Sequence, residues 1–226
     1  MAASQIKCVI FDCDGTLVDS ERLCCLALCE TFKRFNASLT MEQAVEHFEG
    51  GKLADILTAT QARLGLSVSL DQLEPVYRDI LDQLFDQQLK PMDGVFELLD
   101  YLRRHDIEFC VASNGPRDKV QRSLELTGLA CYFEDVIFSA FDTNSWKPEP
   151  DLILYCAMTM GFTLEECLYV DDTPKGLEAG VRAGVETIQL RGLNDKVHQS
   201  ANQSFDNLHQ LKQWISASNG IVSQPM

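Results

Sequence analysis

Residues 6–20, with the sequence IKCVIFDCDGTLVDS, determine the predicted fold of this chain. The apolar run Cys8–Phe11 predicts a short buried strand, and Asp12 and Asp14 follow it with one residue between them. Unpaired carboxylates are costly to bury, so a strand that ends in them favours a bound cation or a phosphate-bearing ligand. Alternate side chains of an extended chain point the same way, which directs both acids into one cleft. Gly15 gives the backbone freedom for a sharp exit, although a hairpin turn is an alternative reading of Asp-Gly.

The composition limits the class of protein. The chain has 226 residues, 46% of them hydrophobic, which is enough for one core with a small satellite domain. A formal net charge of −15 argues against a nucleic-acid or anionic-membrane partner. No apolar run approaches the length of a membrane span, and the first apolar run is interpreted as a strand rather than as a signal peptide. The cysteines do not have the spacing that is typical of a secreted, disulfide-rich domain. We therefore expect a reduced, cytoplasmic protein. A monomer or a weak homodimer is the expected assembly, although composition does not determine it.

The chain beyond the first strand divides into two kinds of pattern. Residues from about 18 to 89 have helical periodicity without a strand signal, which predicts a four-helix insert. After that, predicted helices alternate with predicted strands at residues 107–112, 136–138, 167–170 and 185–190. This alternation indicates an α/β fold with a parallel, Rossmann-like sheet. We expect the α/β core to comprise residues 1–17 and 90–226, and a small helical cap domain to comprise residues 18–89.

Three capping signals support the helices of the insert. Ser20 can cap the first helix, and capping boxes are predicted from Thr40 with Gln43 and from Ser69 with Gln72. The insert follows the first strand, so it should hang over the carboxyl end of that strand. Ligands of open α/β sheets bind at this edge, and an insert there is a natural lid.

Two further segments offer groups that suit a phosphate. Ser113, Asn114 and Gly115 follow the predicted strand at 107–112, and a hydroxyl with exposed N–H groups at a helix start can bind a phosphate oxygen. Lys147 lies in the segment WKPEP, whose prolines restrict the direction of its side chain. A rigidly held lysine can neutralise a carboxylate nucleophile and a phosphoryl group. The alternatives are ordinary turn chemistry for the first segment and a solvated loop lysine for the second.

A second pair of acids predicts a metal. Asp171 and Asp172 follow the apolar run at 167–170, which repeats the pattern of Asp12 and Asp14. Like charges gathered this closely favour a bound cation, and oxygen ligands without His or Cys suit Mg2+. A solvated turn is the alternative. Three other candidate ligands, Cys24, Cys25 and Cys29, lie on one predicted helix without partners at finger-like spacing, so we interpret them as small buried hydrophobes.

Taken in order, the four motifs resemble those of the haloacid dehalogenase (HAD) superfamily, and the resemblance covers nearly the whole chain. The matching segments are DCDGTLVDS at 12–20, SNGP at 113–116, KPEP at 147–150 and DDTPKG at 171–176. The insert after the first motif resembles the cap of the β-phosphoglucomutase-like group. Within that group the chain is most similar to sugar-phosphate phosphatases of the 6-phosphogluconate phosphatase type, with GGKL at 50–53 and WKPEP as further shared features.

The resemblance implies a role for each motif residue. Asp12 would attack phosphorus and form an aspartyl-phosphate, while Asp14 would protonate the leaving oxygen and later activate water. Ser113 and Lys147 would hold the transferring phosphoryl group. The implied Mg2+ ligands are Asp12, the carbonyl of Asp14, and one or both of Asp171 and Asp172. The implied substrate contacts are Thr16, Gly50, Lys52, Asn114, Gly115 and Arg117.

Departures from the family's patterns separate the candidate activities. A β-phosphoglucomutase carries a histidine where this chain has Cys24, and dehalogenases and phosphonoacetaldehyde hydrolases lack the acid present here as Asp14. The main expectation is a Mg2+-dependent phosphomonoester hydrolase of a small phosphorylated metabolite, either a sugar phosphate or a sugar-acid phosphate, with 6-phosphogluconate as one candidate. The alternatives are a phosphosugar mutase and a non-catalytic module that binds phosphate.

Overall fold

The computed structural model describes residues 5–193, 198–199 and 201–220. Its strands are β1 (Cys8–Phe11), β2 (Glu108–Ser113), β3 (Ile137–Ser139), β4 (Cys167–Asp171), β5 (Glu186–Leu190) and β6 (Gln203–Phe205). They form one six-stranded sheet in the spatial order β3-β2-β1-β4-β5-β6, and each neighbouring pair is parallel. The predicted α/β fold class with a Rossmann-like sheet is confirmed.

Strand β1 lies at the centre of the sheet, and each of its residues is buried. Phe11 pairs in register with Val111 on β2 and with Val170 on β4. A parallel strand that is covered on both faces has no polar side, which explains the uninterrupted apolar run. Because the three strands are in register, their carboxyl ends meet at one edge of the sheet, where Asp12 and Asp171 lie.

Helices cover both faces of the sheet. They are α1 (Glu21–Arg34), α2 (Met41–Glu46), α3 (Leu53–Arg63), α4 (Leu70–Gln88), α5 (Val95–Arg104), α6 (Arg117–Leu126), α7 (Ala140–Thr143), α8 (Asp151–Met160), α9 (Pro174–Ala183) and α10 (Leu208–Ser218). Apolar residues of α5, α6 and α10 belong to the core cluster on one face, whereas those of α8 and α9 belong to the cluster on the other. The core therefore has three layers, as an α/β sheet requires.

Helices α1–α4 form the insert between β1 and α5, and none of the sheet strands falls within residues 18–89. The longest of them, α4, buries Leu73, Tyr77, Ile80, Leu81 and Phe85. These residues recur at helical spacing, which gives α4 one apolar face, and α4 packs that face against α1. The division into a core domain and a cap domain stays a prediction.

One predicted capping box is confirmed and two predicted caps are wrong. Thr40 Oγ1 accepts the Gln43 N–H while Gln43 Oε1 accepts the Thr40 N–H. The Ser69 hydroxyl instead donates to the Gln72 side chain at 3.1 Å and caps no backbone N–H. The Ser20 hydroxyl donates to Asp14 Oδ1 at 2.8 Å and caps no N–H of α1, since the backbone of Ser20 has helical dihedral angles in place of the extended ones that a capping residue needs.

The remaining differences concern element ends and short elements. Strand β2 continues through Ser113 and β4 continues through Asp171, so both predicted strands end one residue too early. The sequence analysis missed β6 and α7. Strand β6 is a polar edge strand of three residues, and α7 has four, so neither contains enough apolar periodicity to be detected.

The cysteines are free thiols. Cys24 and Cys25 are buried as predicted for small hydrophobes, whereas Cys29 is only partly buried. Among the residues that the structure describes, none of the helices is both long and apolar enough to cross a membrane.

Candidate active site

Lys147 is buried between two acids at the carboxyl edge of the sheet. Its Nζ lies 2.5 Å from Asp12 Oδ1 and 2.9 Å from Asp171 Oδ2, and 4% of the residue is exposed. The backbone N–H of Lys147 donates to Asn114 Oδ1 at 2.9 Å, which ties the WKPEP segment to the turn after β2. Burial raises the pKa of Asp12 to about 7, because it outweighs the opposing charge of Lys147. The two acids that Lys147 contacts come from the first and fourth motifs.

Asp171 is held by a full set of hydrogen bonds. Its Oδ1 accepts from the backbone N–H and the hydroxyl of Thr173, both at 2.8 Å, and its Oδ2 accepts from the Tyr169 hydroxyl as well as from Lys147. Gly176 allows this arrangement, since a Cβ at that position would lie 2.0 Å from the carboxyl group of Asp171. Asp171 is therefore fixed in place before any ligand binds.

Asp172, by contrast, has one carboxyl oxygen without a hydrogen-bond donor among the described residues. Its Oδ1 accepts from the Thr16 hydroxyl at 3.0 Å, while its buried Oδ2 accepts from no N–H or hydroxyl of the described residues and lies beside the carboxyl group of Glu21. Burial, followed by the charges of Glu21 and Asp171, raises the pKa of Asp172 well above its usual range. Oxygens of Asp12, Asp171 and Asp172 lie within 4.8 Å of one another, so these carboxylates can surround one metal ion.

The second acid of the first motif, Asp14, is bound by two donors. Ser20 Oγ donates to its Oδ1 at 2.8 Å, and Lys119 Nζ donates to its Oδ2 at 2.6 Å. Burial alone would raise the pKa of Asp14, but Lys119, Ser20 and Lys147 together outweigh it and bring this pKa below its usual value. The sequence analysis did not single out Lys119. Its proximity to the SNGP turn was the available signal, and it was applied to Arg117 instead.

The turn after β2 forms another side of the site. Ser113 is buried, and its Oγ accepts the Gly115 N–H at 3.1 Å. Ser139 Oγ donates to the Gly115 carbonyl at 2.7 Å, which anchors the turn to the end of β3. Ser113, Asn114 and Gly115 all face the cavity described next.

A cavity of about 620 Å³ lies above these groups, between the sheet edge and the helical insert. Its floor contains Asp12, Asp14, Ser113, Lys119 and Lys147. The insert contributes apolar side chains to its wall, which are Phe48, Leu53, Ile56, Tyr77 and Leu81. The insert also contributes charged side chains, among them Lys52, Glu74, Arg78 and Asp82, so the cavity combines a charged floor with a wall of apolar and charged side chains.

Two predicted residues of the insert line this cavity. The Lys52 ammonium lies 4.2 Å from the centre of the Trp146 ring, a cation–π contact between insert and core. Gly50 has φ of +71°, and a Cβ there would lie 2.8 Å from the Thr173 side chain, so glycine allows the insert to approach the segment that follows Asp172. Cys24 also lines the cavity, and burial raises the pKa of its thiol to about 12.

Two other predicted substrate contacts lie elsewhere. Thr16 is fully buried and donates its hydroxyl to Asp172, so it supports an acid instead of facing the cavity. Arg117 is half exposed and pairs with Asp142 at 3.0 Å, and it is not among the residues that line the cavity. The side chain of Asp142 also caps α7, which explains why Arg117 points toward that helix.

A sequence model of the haloacid dehalogenase-like hydrolases matches residues 9–190. The chain belongs to this family. Among curated proteins, it is similar to the 6-phosphogluconate phosphatase of Escherichia coli K12, with 38% identity over 183 residues that cover 81% of each chain. It is also similar to the pyrophosphatase PpaX of Oceanobacillus iheyensis, with 27% identity over 81% of this chain and 82% of that relative. The prediction of a phosphatase is confirmed, because both of these relatives are named as phosphatases.

A solved haloacid dehalogenase-like structure has the same architecture. The protein of unknown function from Agrobacterium tumefaciens superposes with a TM-score of 0.79 at 26% identity and covers 94% of this chain and 98% of that one. The haloacid dehalogenase-like fold therefore extends over both the sheet and the inserted helices.

Proposed function

We propose that the protein is a Mg2+-dependent phosphomonoester hydrolase that acts on a small phosphorylated sugar or sugar acid through an aspartyl-phosphate on Asp12. The observation that carries this proposal is the 2.5 Å contact between Lys147 Nζ and Asp12 Oδ1 on the cavity floor. A buried ammonium at this point can neutralise both the attacking carboxylate and the phosphoryl oxygens as charge develops. The names of the phosphatase relatives support the same reaction.

The donor set fits Mg2+. The candidate ligands are carboxylate oxygens, and the buried Oδ2 of Asp172 accepts no hydrogen bond from the described residues, so a cation would satisfy it. Asp12 and Asp172 would bind the ion directly, and the carbonyl of Asp14 would complete the protein ligands. Asp171, whose oxygens are already hydrogen-bonded, would act through water. Bound Mg2+ would supply positive charge to offset the charge of the phosphate.

The proposed reaction has two half-reactions. In the first, an oxygen of Asp12 attacks phosphorus, the bond to the leaving oxygen breaks, and Asp14 gives that oxygen a proton. In the second, water attacks the aspartyl-phosphate, the bond from phosphorus to Asp12 breaks, and Asp14 takes the water proton. The Ser113 hydroxyl and the Lys147 ammonium would hold the phosphoryl oxygens throughout.

The cavity supports a substrate of metabolite size with polar groups away from the phosphate. Lys52 lies in the upper part of the cavity, and within the described ranges no acid forms an ion pair with it. Its ammonium is therefore available for a hydroxyl or a carboxylate of the substrate, and the Trp146 ring offers a flat surface beneath. A sugar-acid phosphate such as 6-phosphogluconate has a charged group at each end and fits this description.

We further propose that residues 18–89 act as a cap that closes this cavity. Both the insert and the core line it, and the Lys175 N–H donates to the Glu49 carbonyl at 3.3 Å beside Gly50. A cap in this position would exclude water from the first half-reaction until the leaving group has been protonated.

The test is a panel of phosphorylated sugars, sugar acids and nucleotides, assayed for release of inorganic phosphate with Mg2+. We expect a sugar phosphate or sugar-acid phosphate to be the best substrate. Asp12→Asn should lower kcat by several orders of magnitude without loss of fold, since the attacking charge is gone. Asp93→Asn, at a side chain that is 90% exposed, serves as the matched control and should keep full activity. An Asp12→Asn variant that retains more than roughly a tenth of kcat would refute the proposal.

A further inference from the structure

The proposed function leaves one partly buried lysine of the cavity, Lys119, without a role. Lys119 lies in the first turn of α6, and its Nζ is 2.6 Å from Asp14 Oδ2. The side chains of Lys119 and Asp14 are 22% and 27% exposed, and both line the cavity. Lys147 lies on the same floor but contacts Asp12 and Asp171. Each acid of the first motif therefore has its own lysine.

The contact between Lys119 and Asp14 belongs to one state of the carboxyl group. An ammonium donates strongly to an ionised carboxylate, whereas a protonated carboxyl offers it no charge. The proposed reaction uses the ionised carboxylate of Asp14 in the second half-reaction, where it accepts the proton of the attacking water. Ser20 Oγ donates to Oδ1 and Lys119 Nζ donates to Oδ2, so each oxygen of Asp14 is held in its direction by one donor.

We infer that Lys119 is a positioning residue for the second half-reaction, in which it orients the Asp14 carboxylate toward the water that hydrolyses the aspartyl-phosphate. In this step the water oxygen bonds to phosphorus, the bond from phosphorus to Asp12 breaks with its electron pair returning to Asp12, and Asp14 accepts the water proton. The inference rests on the proposed function. Lys119 would thus favour transfer of the phosphoryl group to water by holding the Asp14 carboxylate that accepts the water proton.

The surroundings of Lys119 limit where its ammonium can go. Its Nζ lies 5.4 Å from the centre of the Phe85 ring of α4, and a Cβ on Gly115 would lie 3.4 Å from its Cδ. The stem of the lysine therefore runs between the insert and the SNGP turn and ends at Asp14. If the Lys119 ammonium is removed, Ser20 is the one described side chain that still donates to the Asp14 carboxylate. The carboxylate can then rotate, because its Oδ2 no longer has a donor.

The experiment compares Lys119→Met with the wild-type chain on p-nitrophenyl phosphate in the presence of Mg2+. Nitrophenolate is a good leaving group that needs no proton, so the first half-reaction with this substrate depends little on Asp14. Because kcat/KM reports only the steps through formation of the aspartyl-phosphate, it should change by less than about 3-fold. The second half-reaction should slow, so kcat should fall by roughly 10- to 100-fold, the scale of one hydrogen bond to a charged group.

Slow hydrolysis of the aspartyl-phosphate has a signature that a merely structural role would not produce. Lys119→Met should release a rapid burst of nitrophenol of about one equivalent per active site, followed by a slow steady rate. Lys119→Arg, which keeps the charge, should recover most of kcat and lose the burst. The matched control is Lys7→Met, which removes a lysine paired with Glu166 at 2.7 Å near the start of β1, and it should show neither effect.

Each other outcome overturns the inference. Equal losses in kcat and kcat/KM without a burst would place Lys119 in phosphate binding or in the fold, and unchanged kinetics would return it to a surface role. If Lys119→Met does not fold, as judged by thermal unfolding, Ser20→Ala provides the second measurement, because loss of the other donor should give a weaker burst of the same kind. Absence of turnover in the wild type would refute the proposed function itself, whereas wild-type turnover without the burst in either variant would refute only the role of Lys119.

Discussion

Replacing Asp12 by Asn should stabilise the metal-free protein at neutral pH, although it abolishes the proposed reaction. Asp12 is 7% exposed, and its burial raises its pKa from 3.8 to about 7. Asn has nearly the same shape, and its amide oxygen can still accept from Lys147. Lys147 also keeps its contact with Asp171 at 2.9 Å, so the substitution does not leave the buried ammonium unpaired.

The direction and size of the effect follow from the pKa of Asp12. An acid whose pKa is higher in the folded state binds its proton more tightly when folded. Its contribution to stability is therefore fully present below pH 3.8 and is lost as the pH rises toward about 7. A difference of roughly three pH units, at about 1.4 kcal/mol each, sets an upper limit of about 4 kcal/mol. The substitution also removes one of the two charges that pair with Lys147, since Asp12 shares this lysine with Asp171. We therefore expect a smaller increase, of about 1–3 kcal/mol, in the free energy of unfolding.

The assay is thermal or urea unfolding in EDTA at pH 7.5 and pH 5. For a chain of this length, the expected gain at pH 7.5 raises Tm by roughly 3–10 °C, and the gain should be smaller at pH 5. The exposed control Asp93→Asn should change stability by less than about 0.5 kcal/mol. If Asp12→Asn is no more stable than the wild type at pH 7.5, the argument that the buried carboxylate destabilises the metal-free fold is wrong. Added Mg2+ should raise the Tm of the wild type more than that of the variant, since Asp12 is a proposed ligand.

Three further predictions concern the metal, the insert and the products. EDTA should abolish phosphate release and Mg2+ should restore it, whereas Ca2+ should be a poor substitute. Asp172→Ala should raise the required Mg2+ concentration far more than the control Glu149→Ala. Full activity in EDTA would contradict this prediction. Lys52→Ala should lower kcat/KM for the best phosphosugar by roughly 10- to 100-fold but affect phenyl phosphate much less, and equal losses on both would place Lys52 in the chemistry or the fold. Cys24 lines the cavity at the position where a β-phosphoglucomutase carries a histidine, so inorganic phosphate should form from a sugar phosphate without a bisphosphate primer. Faster accumulation of an isomerised sugar phosphate would favour a mutase.

Local patterns predicted the sheet and the motif residues on it. The apolar run Cys8–Phe11 is the central strand, and the helical insert follows it. Alternation, apolar periodicity and the Thr40 capping box depend on neighbours in the chain, so the sequence displays them directly. The gathering of Asp12, Ser113 and Asp171 at one edge also follows from the sequence, because the carboxyl ends of parallel strands must meet there.

The tertiary structure alone decided which side chains contact each other within that site. Lys119 and Asp14 are 105 positions apart, and a lysine in a polar first turn has the same local pattern whether it is solvated or paired. The two acids of the fourth motif are equivalent in sequence, but only Asp171 contacts Lys147, a residue of another segment. One oxygen of Asp172 has no hydrogen-bond partner within the part of the chain that the structure describes. Arg117 lies beside the phosphate turn in sequence and still pairs with Asp142. Such pairings depend on the path of several segments through space, and a one-dimensional pattern contains no information on the distance between their side-chain ends.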